Sequence, residues 1–353
     1  MPTAVTPSDP VPTAPAPRPA PTRARLADVA RQAGVSEATV SRVLNDKPGV
    51  SPDTRQTVLS ALDVLGHDRP ERRKARHSGL IGLVTPELDN PIFPLFAQVI
   101  GGALAQHGYT PVLCTQTPGG VTEDEYVDQL LERSVSGIIF VSGLHADTSM
   151  AADRYRRLVD RGVPIVLING YKPGIPAPFF SCDDGLAGQM AVAHLVSLGH
   201  RRIGLISGPQ RFLPVQRKVA GYRAAMEQHG LEPDVALSLF GVEGGQAAAD
   251  RLLNRDITAI VCGSDLMALG AIRAIRARGL SVPDDISVLG YDDSALIPFT
   301  DPPLSTLRQP VLAMSKAAVR ALTDAVSGQP APHSEYVFRP ELVVRGSTGV
   351  ARR

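Results

Sequence analysis

With 353 residues and 43% hydrophobic content, the chain can bury the cores of two or three domains, and its 20% charged fraction excludes a mostly disordered protein. The net charge is only +1, yet residues 23–76 carry eleven basic against seven acidic side chains and residues 77–353 carry 24 against 27. This imbalance suggests a small polyanion-binding module on an acidic body. Cys114, Cys182 and Cys262 stand far apart, which argues against a disulfide framework or a Cys-rich zinc site. No apolar run approaches the length of a membrane span, and the first residues lack a charged start followed by an apolar stretch. The expected location is therefore cytoplasmic.

Residues 1–22 form a Pro/Ala-rich tail, with eight prolines in the first 21 positions, and cannot bury a core. Residues 23–67 read as three short helices. Leu26–Ala33 is stopped by Gly34. Ser36 is the expected N-cap of a second helix from Glu37 to about Asn45, with Val35 and Val40 spaced as a hydrophobic staple. Ser51-Pro52 starts a third, which Gly66 ends. Two helices joined by a tight Gly-containing turn, with a third behind them, describe a helix-turn-helix module. Residues 68–79 are a basic linker containing Arg72, Arg73, Lys74 and Arg76.

From residue 80 to the end, short apolar runs alternate with helical stretches. The runs are Leu80–Thr85, Thr110–Thr115, Ile138–Val141, Pro164–Ile168, Ile203–Ser207, Thr258–Cys262 and Ile286–Gly290. Gly108, Gly162, Gly199, Gly230 and Gly279 sit where a glycine ends a helix, and Thr122 with Glu125 reads as a capping box. The expected class is α/β: an all-α headpiece followed by two doubly wound parallel sheets. In such folds a ligand binds beyond the carboxyl ends of the strands, so the polar residues just after each run are the candidates. The sequence holds no G-x-S-x-G elbow, Walker loop, G-x-G-x-x-G fingerprint or H-E-x-x-H pair, so no catalytic residue, cofactor or metal site is expected and the protein is not read as an enzyme.

Leu26-Ala27-Asp28-Val29-Ala30, Ala33-Gly34-Val35-Ser36, Thr39-Val40-Ser41-Arg42-Val43-Leu44-Asn45 and Val50-Ser51-Pro52-Asp53-Thr54-Arg55 closely resemble the headpiece of the LacI/GalR family. The likeness continues through Gly199-His200-Arg201-Arg202-Ile203, Ser264-Asp265-Leu266-Met267-Ala268-Leu269-Gly270, Gly290-Tyr291-Asp292-Asp293 and Glu341-Leu342-Val343-Val344-Arg345-Gly346-Ser347, and covers roughly residues 24–348. It implies a periplasmic-binding-protein-like body (residues 80–353) that binds an effector and dimerises. Its first subdomain is expected at about 80–198 and 308–328, its second at about 199–303 and 335–348. The chain would then cross near Gly199, Leu304 and Ser327.

The resemblance places Glu37, Ala38 and Arg42 at base-reading positions. Arg42 is suited to a bidentate pair with guanine, while Glu37 either accepts from cytosine or serves the helix dipole. Ser36, Thr39, Ser41, Asn45, Ser51 and Thr54 match positions that contact phosphates, although Thr39 and Ser41 could instead make local hydrogen bonds. Arg72, Arg73, Lys74 and Arg76 either contact phosphates, line a narrow minor groove or form a solvated linker, one that lacks the family's apolar wedge for that groove. The effector positions are Phe93, Asn169, Asp183, Arg217, Lys218, Phe240, Ser264, Asp265 and Asp292. For Phe93 the alternative is core packing, and for Asp265 a helix N-terminal cap.

Gly79-Leu80-Ile81-Gly82-Leu83, Asn90-Pro91-Ile92-Phe93-Pro94, Thr115-Gln116-Thr117-Pro118-Gly119-Gly120 and Ser142-Gly143-Leu144-His145-Ala146-Asp147 resemble repressors of maltose and maltodextrin use in GC-rich bacteria. The implied function is a homodimeric repressor on a palindromic double-stranded operator, controlled by a small sugar such as maltose, a malto-oligosaccharide or another carbohydrate. The alternatives are a nucleobase or sugar-phosphate effector, or a sugar receptor that does not bind DNA.

Overall fold

The computed structural model describes residues 26–44, 47, 49–65, 79–116 and 119–352. The tail, Asn45 and the linker with Arg72, Arg73, Lys74 and Arg76 lie outside the described residues. The chain divides into two compact units on either side of residue 76.

In the first unit, α1 (Leu26–Ala33), α2 (Glu37–Leu44) and α3 (Pro52–Val64) enclose a small core of Val29, Ala30, Ala33, Val40, Val43, Val58, Ala61 and Leu62. Gly34 turns the chain between α1 and α2 at φ +65°, where a side chain would be strained. The Ser36 hydroxyl accepts from the Thr39 amide at 3.2 Å, and Ser51 accepts from Thr54 at the same distance, so both expected caps form.

The second unit holds two six-stranded sheets. The first runs in the order β11 (Glu335–Phe338), β5 (Phe179–Cys182), β4 (Ile165–Ile168), β3 (Gly137–Val141), β1 (Leu80–Thr85) and β2 (Thr110–Thr115), and all its strands are parallel. The second runs β12 (Glu341–Val343), β10 (Ser305–Arg308), β9 (Ser287–Asp292), β8 (Ala259–Cys262), β6 (Ile203–Ser207) and β7 (Asp234–Leu237), with only β12 antiparallel to its neighbour. On the first sheet, α4 (Ile92–Gln106) and α11 (Val311–Val326) share one core, and α5 (Glu123–Glu132) and α6 (Asp153–Asp160) flank a second. On the second sheet, α9 (Val242–Leu252) and α10 (Asp265–Ala277) cover one face, α7 (Asp184–Ser197) and α8 (Leu213–Gln228) the other. Helices on both faces of parallel strands call for strands that are apolar nearly throughout, and β3, β4, β5, β6 and β8 are buried at every position, with Ser181 and Ser207 their polar members.

The crossings differ from those expected. The chain passes from the first lobe to the second at Asp183, because α7 already packs on the second sheet rather than ending the first lobe at Gly199. It returns after Arg308, since β10 is a second-sheet strand, and crosses finally between Phe338 and Glu341. Residues 335–338 therefore belong to the first sheet, where Glu335–Phe338 pair with Phe179–Cys182. Each crossing lies at the carboxyl end of a strand, and the amide of Asp183 binds the Phe338 carbonyl at 2.8 Å, tying two of them together.

The helices α7 and α8 approach so closely that only glycine fits. A Cβ on Gly221 would sit 1.9 Å from the Gly185 carbonyl oxygen. Gly221→Ala is therefore expected to cost about 1–3 kcal/mol through backbone displacement. Urea unfolding of the full chain measures this directly, and an unchanged midpoint would mean that the two helices can slide apart freely.

Candidate functional site

The exposed side of α2 presents Glu37, Ala38 and Arg42, with Ser41 partly buried beside them, while Val40 and Val43 face the core. Positions 37, 38, 41 and 42 share one helix face at 3.6 residues per turn. A short helix with such a face can lie in a major groove and meet base edges with its first turns. The hydroxyls of Ser36 and Thr39 lie 2.9 Å apart and those of Ser51 and Thr54 2.8 Å apart. Thr39 thus makes the local hydrogen bond that the sequence left open.

In the second unit, a cavity of about 280 Å³ opens between the two lobes, at the carboxyl ends of both sheets. Its backbone geometry is unusual. Ser142 after β3, Asn169 after β4 and Asp292 at the end of β9 all line it with positive φ (47°, 62° and 123°). Such conformations cost on the order of 1–3 kcal/mol each and cluster at functional sites. The Asn169 amide donates to the Ser142 hydroxyl at 3.2 Å, so the two polar groups form one edge of the cavity.

Asp292 is fully buried and accepts from the Gln309 amide at 2.7 Å. Burial pushes its carboxyl well above the usual range, and the nearby Asp265 adds to the effect. Lys218 is buried nearby, and its charge opposes that rise. Its ammonium donates to the Gly263 carbonyl at 3.2 Å, faces Asp184 at 3.7 Å and lies 3.3 Å above the Tyr291 ring. Tyr291 in turn donates to Asp184 at 2.9 Å. Burial raises the Asp184 carboxyl, and Lys218 and Tyr291 oppose that rise. Phe93, Phe212 and Phe240 supply aromatic wall, the last two with ring centroids 5.8 Å apart. Phe240 reaches its place because residue 208 is glycine: a Cβ there would meet its ring at 2.2 Å.

Of the nine expected effector residues, Phe93, Asn169, Lys218, Phe240, Ser264 and Asp292 line this cavity. Three do not. Asp183 caps α7, accepting from the Leu186 amide at 2.9 Å. Arg217 points away from the cavity and forms a bidentate pair with Glu335 of the other lobe at 2.6 and 2.8 Å. Asp265 lies behind the wall and accepts from the Ser294 amide, the Ser294 hydroxyl and the Thr306 hydroxyl at 2.7–2.9 Å. Nor is Asp265 the cap of α10. That role falls to Ser264, whose hydroxyl accepts from Met267 at 3.2 Å. Sequence reading missed Asp184, Tyr291, Gln309, Phe212 and Asn90. Asp184 directly follows an expected residue and Gln309 directly follows a strand, whereas nothing in the local pattern marks Phe212.

Carboxylate, amide, hydroxyl and ammonium groups between aromatic faces can bind a small polyhydroxylated ring, its hydroxyls on the polar groups and its C–H faces on the rings.

Two family descriptions match the chain: bacterial regulatory proteins of the lacI family over residues 25–69, and a periplasmic binding protein-like domain over residues 192–348. The HTH-type transcriptional regulator MalR of Streptomyces coelicolor is 63% identical over 93% of this chain and 97% of its own length. The chain belongs to the lacI family, and it is a DNA-binding transcriptional regulator rather than an enzyme. Among solved structures, the complex of the regulator CelR with cellobiose matches with a TM-score of 0.68 at 33% identity, covering 92% of this chain and all of that one. The lac repressor dimer bound to operator and the anti-inducer ONPF matches with a TM-score of 0.67 at 29% identity, covering 93% and 100%.

Proposed function

We propose that this protein is a repressor that binds a palindromic operator as a homodimer and leaves it when a neutral sugar, maltose or a malto-oligosaccharide, occupies the interlobe cavity. The observation that carries this reading is Asp292, an acceptor fixed by Gln309 within aromatic walls. A carboxylate so placed accepts from two adjacent hydroxyls, and the cavity of about 280 Å³ suits a small ligand. The segments similar to repressors of maltose use point to the sugar, and the cellobiose complex of CelR supports a glucose disaccharide as the class. The lac repressor dimer on its operator supports the assembly. One headpiece would bury only about 600–1,000 Å² on DNA, so tight specific binding calls for two. Leu95 on α4 and Leu113 on the edge strand β2 offer exposed apolar surface for the partner.

A sugar phosphate fits this cavity less well. Lys218 is already committed to Asp184, Gly263 and Tyr291, and Glu87, Asp184 and Asp292 line the same walls. A phosphate would meet carboxylates without an uncommitted cation from Lys218. With no tryptophan in the chain, titration calorimetry is the suitable measurement. Maltose should bind and release operator DNA, whereas glucose 6-phosphate should do neither. Release by the phosphate but not by maltose would overturn the effector class.

A further inference from the structure

The aromatic wall of the cavity is not held by the second lobe alone. Just before α8, the chain runs past the first lobe, and Phe212 pairs with Asp147 as an isolated antiparallel bridge. The amide and the hydroxyl of Thr148 both donate to the Arg211 carbonyl at 2.8 Å, and Gln216 donates to the Thr148 hydroxyl at 3.2 Å. Nε of Arg211 donates to the Asp147 carboxylate at 2.9 Å, joining an acid only 7% exposed to an arginine 54% exposed.

Asp147 is already fixed within its own lobe. Its other oxygen accepts from the amide and hydroxyl of Ser149, and its carbonyl accepts from Lys172 at 2.7 Å. The same contact reaches Phe212. The Arg211 guanidinium lies 4.7 Å from the centre of its ring, which lines the cavity and tilts against Phe240. Asp147, Thr148 and Arg211 themselves do not line the cavity.

We infer that Asp147 and Arg211 are positioning residues for the effector: their ion pair draws the lobes together at one side of the cleft and clamps Phe212 in place as a wall. Effector affinity then depends on a contact that the effector never touches. The inference rests on reading the cavity as the effector site. Ordering Phe212 in advance removes a cost that the ligand would otherwise meet on binding. Because Arg211 is half exposed, the clamp weakens as salt screens it.

The test uses the full chain, with maltose as the probe and hydrogen exchange at the Thr148 amide as a reporter independent of any sugar. Arg211→Ala should lower maltose affinity about fivefold, the size expected for a partly exposed ion pair. Asp147→Asn should add little in the Arg211→Ala background, since both remove one interaction. Maltose affinity of the unaltered protein should fall with ionic strength, and that of Arg211→Ala should fall less. In sugar-free protein, Thr148 should exchange faster in Arg211→Ala. Unchanged exchange at Thr148, or fully additive losses in the double variant, would overturn the clamp. Should maltose not bind the unaltered protein while Thr148 still exchanges faster in Arg211→Ala, the sugar assignment falls and the clamp stands.

Discussion

Asp292→Asn should yield a protein that binds its operator normally and no longer responds to sugar. Asp292 closes the cavity at the end of β9, held by Gln309. A carboxylate there accepts from two sugar hydroxyls, and hydrogen bonds to charged groups contribute about 1.5–3 kcal/mol each. Losing one or both weakens sugar binding by roughly one to four orders of magnitude. An effector shifts an equilibrium only through its different affinity for the two states, so a variant that cannot hold sugar stays on DNA.

The same substitution should leave the fold intact, which separates a lost ligand contact from a damaged lobe. Burial first, and then the neighbouring Asp265, pushes the Asp292 carboxyl well above the usual carboxylate range. An acid whose folded-state value is raised favours the fold below its unfolded value, and that advantage is lost as pH rises through the folded value. The ionised form is thus the one the fold disfavours, and an amide cannot ionise. The melting temperature of Asp292→Asn should therefore be equal or higher at neutral pH and should decline less as pH rises. Sugar-induced release that persists unchanged in the folded variant would show Asp292 to be structural.

The way the chain signals its fold explains which parts of the site were legible. Helix ends announce themselves locally: Gly108, Gly162, Gly199, Gly230 and Gly279 all adopt positive φ, and Thr122 with Glu125 forms its capping box. Lobe boundaries have no such signal. The crossings fall at four-residue strands such as β5 and β11, too short for alternation to reveal, so the strong glycine at residue 199 drew the boundary one helix too late. Neighbouring residues were confused for a related reason. Arg217 and Lys218 stand about 100° apart around α8. One rotation sends lysine into the cavity and arginine to Glu335, and it is set by tertiary packing: the α7–α8 contact through Gly185 and Gly221, and Val215, Val219 and Tyr222 against the second sheet. Asp183 and Asp184 differ likewise, one at the cap of α7 and the other one residue inside. Ser264 and Asp265 repeat the pattern on α10, where the first caps the helix and the second turns inward to Thr306 and Ser294. Residue type was readable at these sites, and facing was not.

Arg42→Ala should relax the choice of DNA sequence far more than it lowers affinity for DNA as such. The residue lies on the exposed face of α2, one turn from Ala38, while Val40 and Val43 anchor the opposite face in the core. A guanidinium on that face can donate two parallel hydrogen bonds to the O6 and N7 of guanine, a pairing worth about 1–3 kcal/mol of discrimination. On a two-fold site each subunit would lose it once, so preference for operator over random DNA should fall by roughly one to four orders of magnitude. Affinity for random DNA comes mainly from neutralised phosphates, and a base-reading arginine contributes little there. Fluorescence anisotropy on labelled operator and random duplexes, across a salt series, measures both quantities. A base reader leaves the slope of affinity against salt nearly unchanged, whereas each lost phosphate contact lowers that slope by about one. Equal loss on both duplexes with a flatter slope would move Arg42 from the base edge to the backbone, and the reading of α2 as the recognition helix would then rest on Glu37 and Ala38 alone.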